Sequence, residues 1–358
     1  MNDPQVTVLI PVYNGARFLQ EAIESVLAQT FGDFELLVLD DGSTDGSQEL
    51  VASSRDSRIH LVRNEGHRGL VPMLNEGLAL ARGTWIARQD ADDRSHRRRL
   101  ADQVQRLREQ PQLVLVGTQA RVIDPDGRVI GELTRPQESV SIRWYHLFDN
   151  AFIHSSVMFR REAAQAFGGY EPLAHCEDYA LWSRMALAYP VANLPQRLLD
   201  YRANPQSIYG GLTSEQAAAS AAGNRRIIQR NLQALFGDRG WSASDVELLA
   251  QFRLGLREAD LGGFLALFHR LRARYEMLFP EAVRSADFRR TLARQYDEIA
   301  YKVSPAIRML ALRVYASGIR HDPMLARSFS WPRVLTLALL GKQGRDRLRA
   351  RVRPAMGG

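Results

Sequence analysis

Residues 85–94 read WIARQDADDR, and the rest of the chain is organised around this stretch. The apolar run Thr84–Ala87 predicts a short buried strand that ends in a cluster of acids. Three carboxylates form the cluster: Asp90, Asp92 and Asp93. Like charges at this spacing repel one another, and a hard divalent cation with oxygen ligands would relieve the repulsion. A solvated acidic loop beside the basic run His96–Arg99 fits the spacing equally well.

Before this stretch, buried strands and amphipathic helices alternate along the chain. Short aliphatic runs predict the strands, and apolar residues at helical spacing predict the helices. The predicted order is strand 6–11, helix 17–29, strand 35–39, helix 48–53, strand 59–62, helix 70–81 and strand 84–88. This order predicts an α/β fold with a mostly parallel sheet and helices on both faces.

Ligands of such sheets bind at the carboxyl ends of the strands. Three of these ends carry turn or acidic residues: Pro11–Asn14, Asp40–Asp45 and Asp90–Asp93. We expect these ends to converge in one crevice. Polar turns end the strands of every α/β sheet, and that simpler explanation suits Asp45 as a helix cap.

The composition excludes several classes of protein. The 358 residues are 45% hydrophobic and 24% charged, which is typical of a soluble globular protein of one or two domains. The single cysteine, Cys176, excludes an internal disulfide framework and fits a reducing cytoplasm. We expect neither a secretory signal nor a membrane span, because the apolar runs are too short. Lysine occurs only at 302 and 342, which excludes a Walker-type phosphate loop.

The net charge of +7 is concentrated at the carboxyl end. Residues 301–358 carry 12 Lys and Arg and two acids, so residues 1–300 carry a balance of −3. Within this tail, residues 331–352 join an apolar run to an arginine-rich end, a pattern that favours contact with an anionic membrane. A solvated arginine face or a basic disordered tail explains the same pattern. Nothing in the sequence resembles a nucleic-acid-binding module, so we expect no nucleic-acid partner.

Five motifs, in order, give the first 210 residues a specific resemblance to glycosyltransferase family 2. The motifs around the acidic stretch are VTVLIPVYNGARFLQEAIESVLAQTFGDFELLVLDDGSTDGS (6–47), RNEGHRGLVPMLNEGLALARG (63–83), HSSVMFRR (154–161), CEDYALWSR (176–184) and DYRANPQSI (200–208). The resemblance implies a catalytic domain of the GT-A fold, a Rossmann-like, mostly parallel sheet flanked by helices, over residues 1–210. Residues 211–358 lie outside it and are predicted to form a C-terminal α-helical appendage with the basic tail.

The resemblance also implies a nucleotide-diphosphate sugar as donor. Pro11 and Tyr13 would face the nucleobase and ribose, and the Asp41 carboxylate would accept a hydrogen bond from a pyrimidine imide N–H. Arg68 would approach the base or the phosphates, although a solvated loop arginine is an equally good interpretation. Arg202 resembles a family arginine that meets the diphosphate.

A divalent metal, Mn²⁺ or Mg²⁺, is implied at the acidic motif. Asp92 is the first choice for direct contact with the ion, which would stabilise the departing diphosphate. Asp90 would contact the ribose or a metal-bound water. Asp93 has a structural alternative, as an acid at the amino end of the helix predicted at 97–110.

The acceptor hydroxyl needs a base, and the family pattern assigns it to Asp178. Glu177 would be structural or would touch the acceptor, and both acids open an amphipathic helix where its dipole also favours them. A single base opposite the leaving diphosphate predicts inversion at the anomeric carbon. His154 and Trp182 are candidates on the acceptor side, although a structural histidine and a core tryptophan explain them too.

The sequence therefore predicts an inverting, metal-dependent glycosyltransferase. It would move a sugar, most simply from a UDP-sugar, to a glycan or lipid-linked acceptor in bacterial surface polysaccharide synthesis. It would work in the cytoplasm, at the inner face of the membrane. A nucleotidyltransferase on a similar fold is disfavoured by the first loop, which lacks extra glycines and basic residues. A non-catalytic membrane or partner adaptor is the third hypothesis, and retention of all the acidic sites argues against it.

Overall fold

The first strand, β1 (Val6–Val12), has a strand hydrogen-bonded along each edge. It pairs in parallel with β2 (Phe34–Asp40) on one side and with β4 (Trp85–Arg88) on the other. Every residue of β2 and β4 is buried. Strands covered on both faces require nearly continuous apolar sequence, which is why the aliphatic runs predicted them.

The computed structural model describes residues 3–173, 175–203, 213–238, 240–254, 256–302 and 308–327. The chain divides into two compact units, an α/β unit of residues 1–143 and 150–227 and a helical unit of residues 144–149 and 228–358. The predicted domain boundary at residue 210 lies in the segment 204–212, outside the described residues.

The α/β unit contains one mixed sheet in the order β3-β2-β1-β4-β8-β6-β9-β5, with β7 paired to β6. Its further strands are β3 (Ile59–Arg63), β5 (Arg94–Ser95), β6 (Leu115–Ile123), β7 (Val129–Leu133), β8 (Met158–Arg160) and β9 (Val191–Arg202). Its helices are α1 (Ala16–Leu27), α2 (Ser47–Ala52), α3 (Leu70–Leu80), α4 (Arg99–Glu109), α5 (Ser139–Tyr145), α6 (Arg161–Ala166) and α7 (Glu177–Ala188). The predicted α/β class is confirmed.

Helices cover both faces of the parallel strands. The buried side chains of α1 and α4 share one core with Val6, Val8 and Ile10 of β1. On the other face α3 approaches very closely at Gly77, where an added Cβ would lie 2.7 Å from Leu39 Cδ1. Only glycine permits this approach without repacking.

The strand order reverses at β1, because β2 and β3 lie to one side of it and β4 to the other. A crevice outside the carboxyl ends of the strands is expected at such a switch point. The turns after β1 and β4 carry Tyr13 and Asp90, so the topology places both predicted donor residues at this edge.

The helical unit has an aromatic core. The Trp144 ring contacts Phe148, Phe268 and Tyr275 at centroid distances of 5.1–5.5 Å, and its indole Nε1 donates to Gln295 at 2.7 Å. Its helices are α8 (Ser214–Phe236), which begins in the α/β unit, α9 (Ala243–Leu254), α10 (Leu261–Leu278), α11 (Pro280–Arg284), α12 (Ala286–Lys302) and α13 (Arg308–His321). The predicted C-terminal helical region is confirmed.

Two local predictions were wrong. The strand predicted after His154 is instead a 3-10 turn, His154–Ser156, followed by the short β8. The helix α7 is buried all round and is not amphipathic. The predicted membrane segment, residues 331–352, lies outside the described residues. In the part of the chain that is described, every helix is too short or too polar to cross a bilayer.

Candidate active site

The turn after β1 is fixed to the loop after β2. Asn14 adopts a left-handed conformation with φ of 50°, its backbone N–H donates to Ser43 Oγ at 2.9 Å, and its side chain accepts from Thr44 N at 2.9 Å. Tyr13 beside it is half exposed, whereas Pro11 is an interior residue of β1. The turn therefore presents the Tyr13 ring on a rigid support.

Asp41 is buried, and its side chain binds the backbone of residues 64–69, here called the 64–69 loop. Its carboxylate accepts from Arg68 N at 2.9 Å and from Gly69 N at 2.7 Å. His67 Nδ1 lies 2.8 Å from the same carboxylate. The structure thus brings Asp41 and this loop together, and their contact with a donor stays a prediction.

The Arg68 side chain points away from Asp41. Its guanidinium donates to Glu76 at 2.9 Å and to Asn64 at 3.3 Å, and it is half exposed. An exposed arginine bound by an ion pair can change partners at small cost. Its contact with the donor stays a prediction.

Buried side chains hold the acidic loop after β4. Arg99, the first residue of α4, donates to Arg88 O at 2.6 Å, Val157 O at 3.2 Å and Ser95 Oγ at 2.9 Å. Gln89 Nε2 donates to Asp93 O and to the α1 carbonyl of Ala22, both at 3.2 Å. The carboxylates therefore stand on a hydrogen-bonded scaffold.

Asp90 and Asp92 differ in their surroundings. The Asp90 carboxylate lies 2.6 Å from Nη1 of Arg88, an arginine that is only 1% exposed. Burial, reinforced by the negative charge of Asp90, raises the pKa of Asp92 to about 6. Arg88 and Arg202 offset the negative charge of Asp92 only in part, a condition that favours a bound cation.

Asp93 faces inward. Its side chain accepts hydrogen bonds from Ser155 Oγ and from Arg202 N, the latter at 2.8 Å. Burial and the charges of Asp90 and Asp92 raise its pKa well above the ordinary value. The alternative role of Asp93 as a helix-terminal acid is wrong, since α4 begins only at Arg99.

The Arg202 side chain donates hydrogen bonds to the acidic loop and to two segments beside it. Its guanidinium donates to Asp92 O at 2.8 Å, Pro125 O at 2.9 Å and Glu21 at 2.5 Å, and it is buried. In this arrangement Arg202 fixes the backbone beneath Asp92. Its direct contact with a diphosphate stays a prediction.

Glu177 and Asp178 open α7 and are both buried. The Asp178 carboxylate accepts from Asn150 Nδ2 at 2.8 Å. Burial, with the charge of Asp178, raises the pKa of Glu177 to about 7. Because Glu177 and Asp178 are neighbouring buried acids, the charge of one opposes ionisation of the other.

Three neighbouring aromatic rings, one of which approaches Asp178, carry polar atoms that have no hydrogen-bond partner among the described residues. They are His154 Nε2, Tyr170 Oη and Trp182 Nε1. The three rings lie 5.7–6.0 Å apart, and His154 Nδ1 is 4.0 Å from Asp178. Burial lowers the pKa of His154 well below its usual range, so its ring is neutral. Buried donors of this kind call for a polar ligand or water.

These contacts connect the acidic loop to α7. Asp93 binds Ser155, and the preceding residue His154 approaches Asp178. Burial, together with the charges of Asp90, Asp92 and Asp178, raises the pKa of Tyr201. The acids that are 85 residues apart in sequence therefore meet at one edge of the sheet.

The residues present suit a hard divalent metal, with Asp92 and Asp90 as the oxygen donors. Among the residues that the structure describes, no group of three His, Cys, Asp or Glu could hold a metal. A two-carboxylate site leaves coordination positions for the oxygens of a bound substrate.

Sequence reasoning missed Arg88, Arg99 and His67. Arg88 and Arg99 carried a usable signal, because charged residues inside a buried strand and at the start of a helix beside an acidic motif need buried partners. His67 carried none, since its place depends on how the 64–69 loop folds over Asp41.

Comparison with known proteins defines the class first. The fold is similar to that of Staphylococcus aureus TarS 1–349 in complex with UDP-GlcNAc, with a TM-score of 0.55 at 16% identity over 90% of this chain and 91% of that one. At this identity the similarity speaks for the fold alone, and that fold is the GT-A type.

The family follows from sequence. Residues 7–168 match the model of glycosyl transferase family 2. The amylovoran biosynthesis glycosyltransferase AmsE of Erwinia amylovora is 33% identical over 56% of this chain and 77% of its own length. WfgD of Escherichia coli, a UDP-Glc:α-D-GlcNAc-diphosphoundecaprenol β-1,3-glucosyltransferase, is 32% identical over 51% and 70%. The chain belongs to glycosyltransferase family 2 and is a glycosyltransferase, which confirms the resemblance.

Proposed function

We propose that this enzyme transfers a sugar, with inversion, from a UDP-sugar to a glycan or lipid-linked acceptor in bacterial surface polysaccharide synthesis. The observation that carries the proposal is the placement of Asp41, Asp90 and Asp92 after the carboxyl ends of β2 and β4, the strands on either side of β1, with Asp178 linked to the acidic loop through His154 and Ser155. Family membership favours this function over nucleotidyl transfer and over a non-catalytic adaptor.

The donor would lie across the crevice at the switch point. Its base would stack on Tyr13 and donate an imide N–H to Asp41, and Pro11 would line the ribose side. Asp90 would accept from the ribose, while Arg88 holds the Asp90 carboxylate in place. Arg68 and Arg202 carry positive charge on the diphosphate side.

A divalent cation, Mn²⁺ or Mg²⁺, held by Asp92 and Asp90 would supply positive charge to the leaving diphosphate. The acids support this because Arg88 and Arg202 offset their mutual repulsion only in part. Arg202 keeps the Asp92 backbone in place through the hydrogen bond to its carbonyl oxygen.

Asp178 would remove the proton of the acceptor hydroxyl as that oxygen attacks the anomeric carbon. Asn150 orients its carboxylate. Glu177, His154 and Trp182 would surround the acceptor, with the unpartnered donors binding its hydroxyls. One base on the face opposite the leaving group gives direct displacement, and hence inversion.

The names of the relatives support a proposed biological setting. AmsE is named for amylovoran biosynthesis, and the acceptor named for WfgD is a lipid diphosphate. We place this enzyme in the cytoplasm at the inner face of the membrane, where such an acceptor is reached. The basic segment 331–352 is the proposed contact with anionic lipid.

The test is release of UDP from a panel of UDP-sugars with Mn²⁺. We expect turnover by the wild type, and loss of turnover in both Asp92→Asn and Asp178→Asn with the melting temperature retained. The exposed acid Asp126, paired with Arg128 on the surface, supplies the matched control Asp126→Asn. Full activity of both active-site variants would refute the mechanism.

A further inference from the structure

His67 fills the place that the proposed function gives to a nucleobase. Its imidazole stacks on the Tyr13 ring at a centroid distance of 4.0 Å and an interplanar angle of 26°. Its Nδ1 lies 2.8 Å from Asp41 Oδ2. A pyrimidine would need the same two groups, a flat ring as stacking partner and a carboxylate facing an N–H.

The receptor side of this contact is rigid. Asp41 is 3% exposed, and its own N–H donates to Val12 O at 2.9 Å. The hydrogen bonds of Asn14 to the loop after β2 fix the backbone beside Tyr13, whose ring is half exposed. The Asp41 carboxylate and the backbone that carries the Tyr13 ring therefore keep their places when a base binds.

The backbone of the 64–69 loop is rigid as well. Arg68 N and Gly69 N are bound by Asp41, and Asn64 N donates to Asp40 O at 3.0 Å. Gly42 and Gly66 touch so closely that a Cβ on Gly42 would lie 3.0 Å from Gly66. The loop is thus fastened without help from the His67 side chain.

The His67 side chain, by contrast, is free to leave. It is 54% exposed, so turning it into solvent uncovers little apolar surface. Rotamer changes of exposed side chains are fast compared with ligand binding. The loop can therefore release the ring while the rest of the site stays in place.

We propose, resting on the function above, that His67 occupies the nucleobase position of the empty enzyme and that the donor displaces it. His67 then sets donor affinity by competition for Tyr13 and Asp41. The observed affinity is the intrinsic affinity multiplied by the fraction of molecules with His67 turned out. If that fraction is about 0.1 to 0.3, removal of the ring tightens binding roughly threefold to tenfold.

The experiment is calorimetric titration of UDP with Mn²⁺ into wild-type protein and His67→Ala. His67→Phe keeps the stack on Tyr13 but loses the contact with Asp41. His60→Ala is the matched control, because His60 is an exposed histidine on β3 of the same sheet. Stopped-flow association rates accompany each titration.

We expect His67→Ala to bind UDP roughly threefold to tenfold more tightly through faster association, with His67→Phe between it and the wild type. His60→Ala should match the wild type. Equal or weaker binding by His67→Ala would overturn the role of His67 alone. Absence of UDP binding in all four folded proteins would overturn the proposed donor class, and with it this role.

Discussion

Buried charge is arranged differently at the acidic edge of the α/β unit and in the helical unit. At the acidic edge, Asp92, Asp93 and Glu177 have raised pKa values, first because burial removes them from water and second because neighbouring acids repel them. In the helical unit, Arg272 donates to Glu276 at 2.7 Å and to Asp322 at 2.8 Å, so opposite charges are paired.

This difference separates function from architecture. Unrelieved like charge costs stability and persists where binding or catalysis requires it. Paired charge around an aromatic core is what a structural unit requires. Substitutions at the acidic edge should therefore cost activity, whereas substitutions in the helical core should cost stability.

The largest effect is expected for Asp178→Asn. Turnover should fall by about 10²–10⁴, which is the usual contribution of a general base, while the free energy of unfolding stays within about 1 kcal/mol. UDP release and chemical denaturation measure the two quantities. If the activity of Asp178→Asn is within threefold of that of the Asp126→Asn control, the acidic edge does not differ from the rest of the molecule in its importance for activity.

The opposite result is expected for Trp144→Ala in the helical unit. Loss of this fully buried ring and its hydrogen bond to Gln295 should lower the free energy of unfolding by about 3–5 kcal/mol. Urea unfolding provides the measurement. Met277→Ala, at a position 74% exposed in the same unit, is the control and should change stability by less than about 0.5 kcal/mol.

A pH-dependent effect is expected for Glu177→Gln. Burial raises the folded-state pKa of Glu177 from the ordinary value of 4.5 to about 7. The contribution of this group to stability is therefore fully present below pH 4.5 and is lost as the pH rises through 7. Glutamine does not ionise, so the variant keeps this stability and should be roughly 1–3 kcal/mol more stable than the wild type at pH 8. The gain should vanish near pH 4.5. A difference in stability between the two proteins that stays constant from pH 4.5 to pH 8 would show that the pKa of Glu177 is not raised.

The smallest effect is expected for Glu21→Gln. Glu21 pairs with Arg94 and with Arg202 at the border of the acidic edge, and it is 41% exposed. Solvent reaches the Glu21 side of both pairs and Arg202 keeps its other hydrogen bonds, so stability should fall by roughly 0.2–1 kcal/mol and turnover by less than threefold. A larger loss of turnover would mean that the pair itself sets the position of Asp92.

The sequence predicted the regular part of the α/β unit well. The runs that predicted β1, β2 and β4 are mostly apolar because both faces of each strand are covered, and a run of this kind can be recognised from the local sequence alone. Helix α1 was predicted at 17–29 and spans Ala16–Leu27.

The failures come from long-range contacts. Asp93 is turned inward by Ser155 and Arg202, which lie 62 and 109 residues away, so its local position before a helix misled the prediction. Helix α7 was predicted to be amphipathic, but other elements of the fold cover it on all sides, so it has no polar face toward solvent.

The central claim is that the acids at this edge bind a cation together with a nucleotide diphosphate. Mn²⁺ titration followed by electron paramagnetic resonance, with UDP present, tests it most directly in wild type, Asp92→Asn and Asp126→Asn. We predict that the wild type and Asp126→Asn sequester one Mn²⁺ per chain only when UDP is present, and that Asp92→Asn does not. Equal Mn²⁺ binding by Asp92→Asn, or none by the wild type, would contradict the claim.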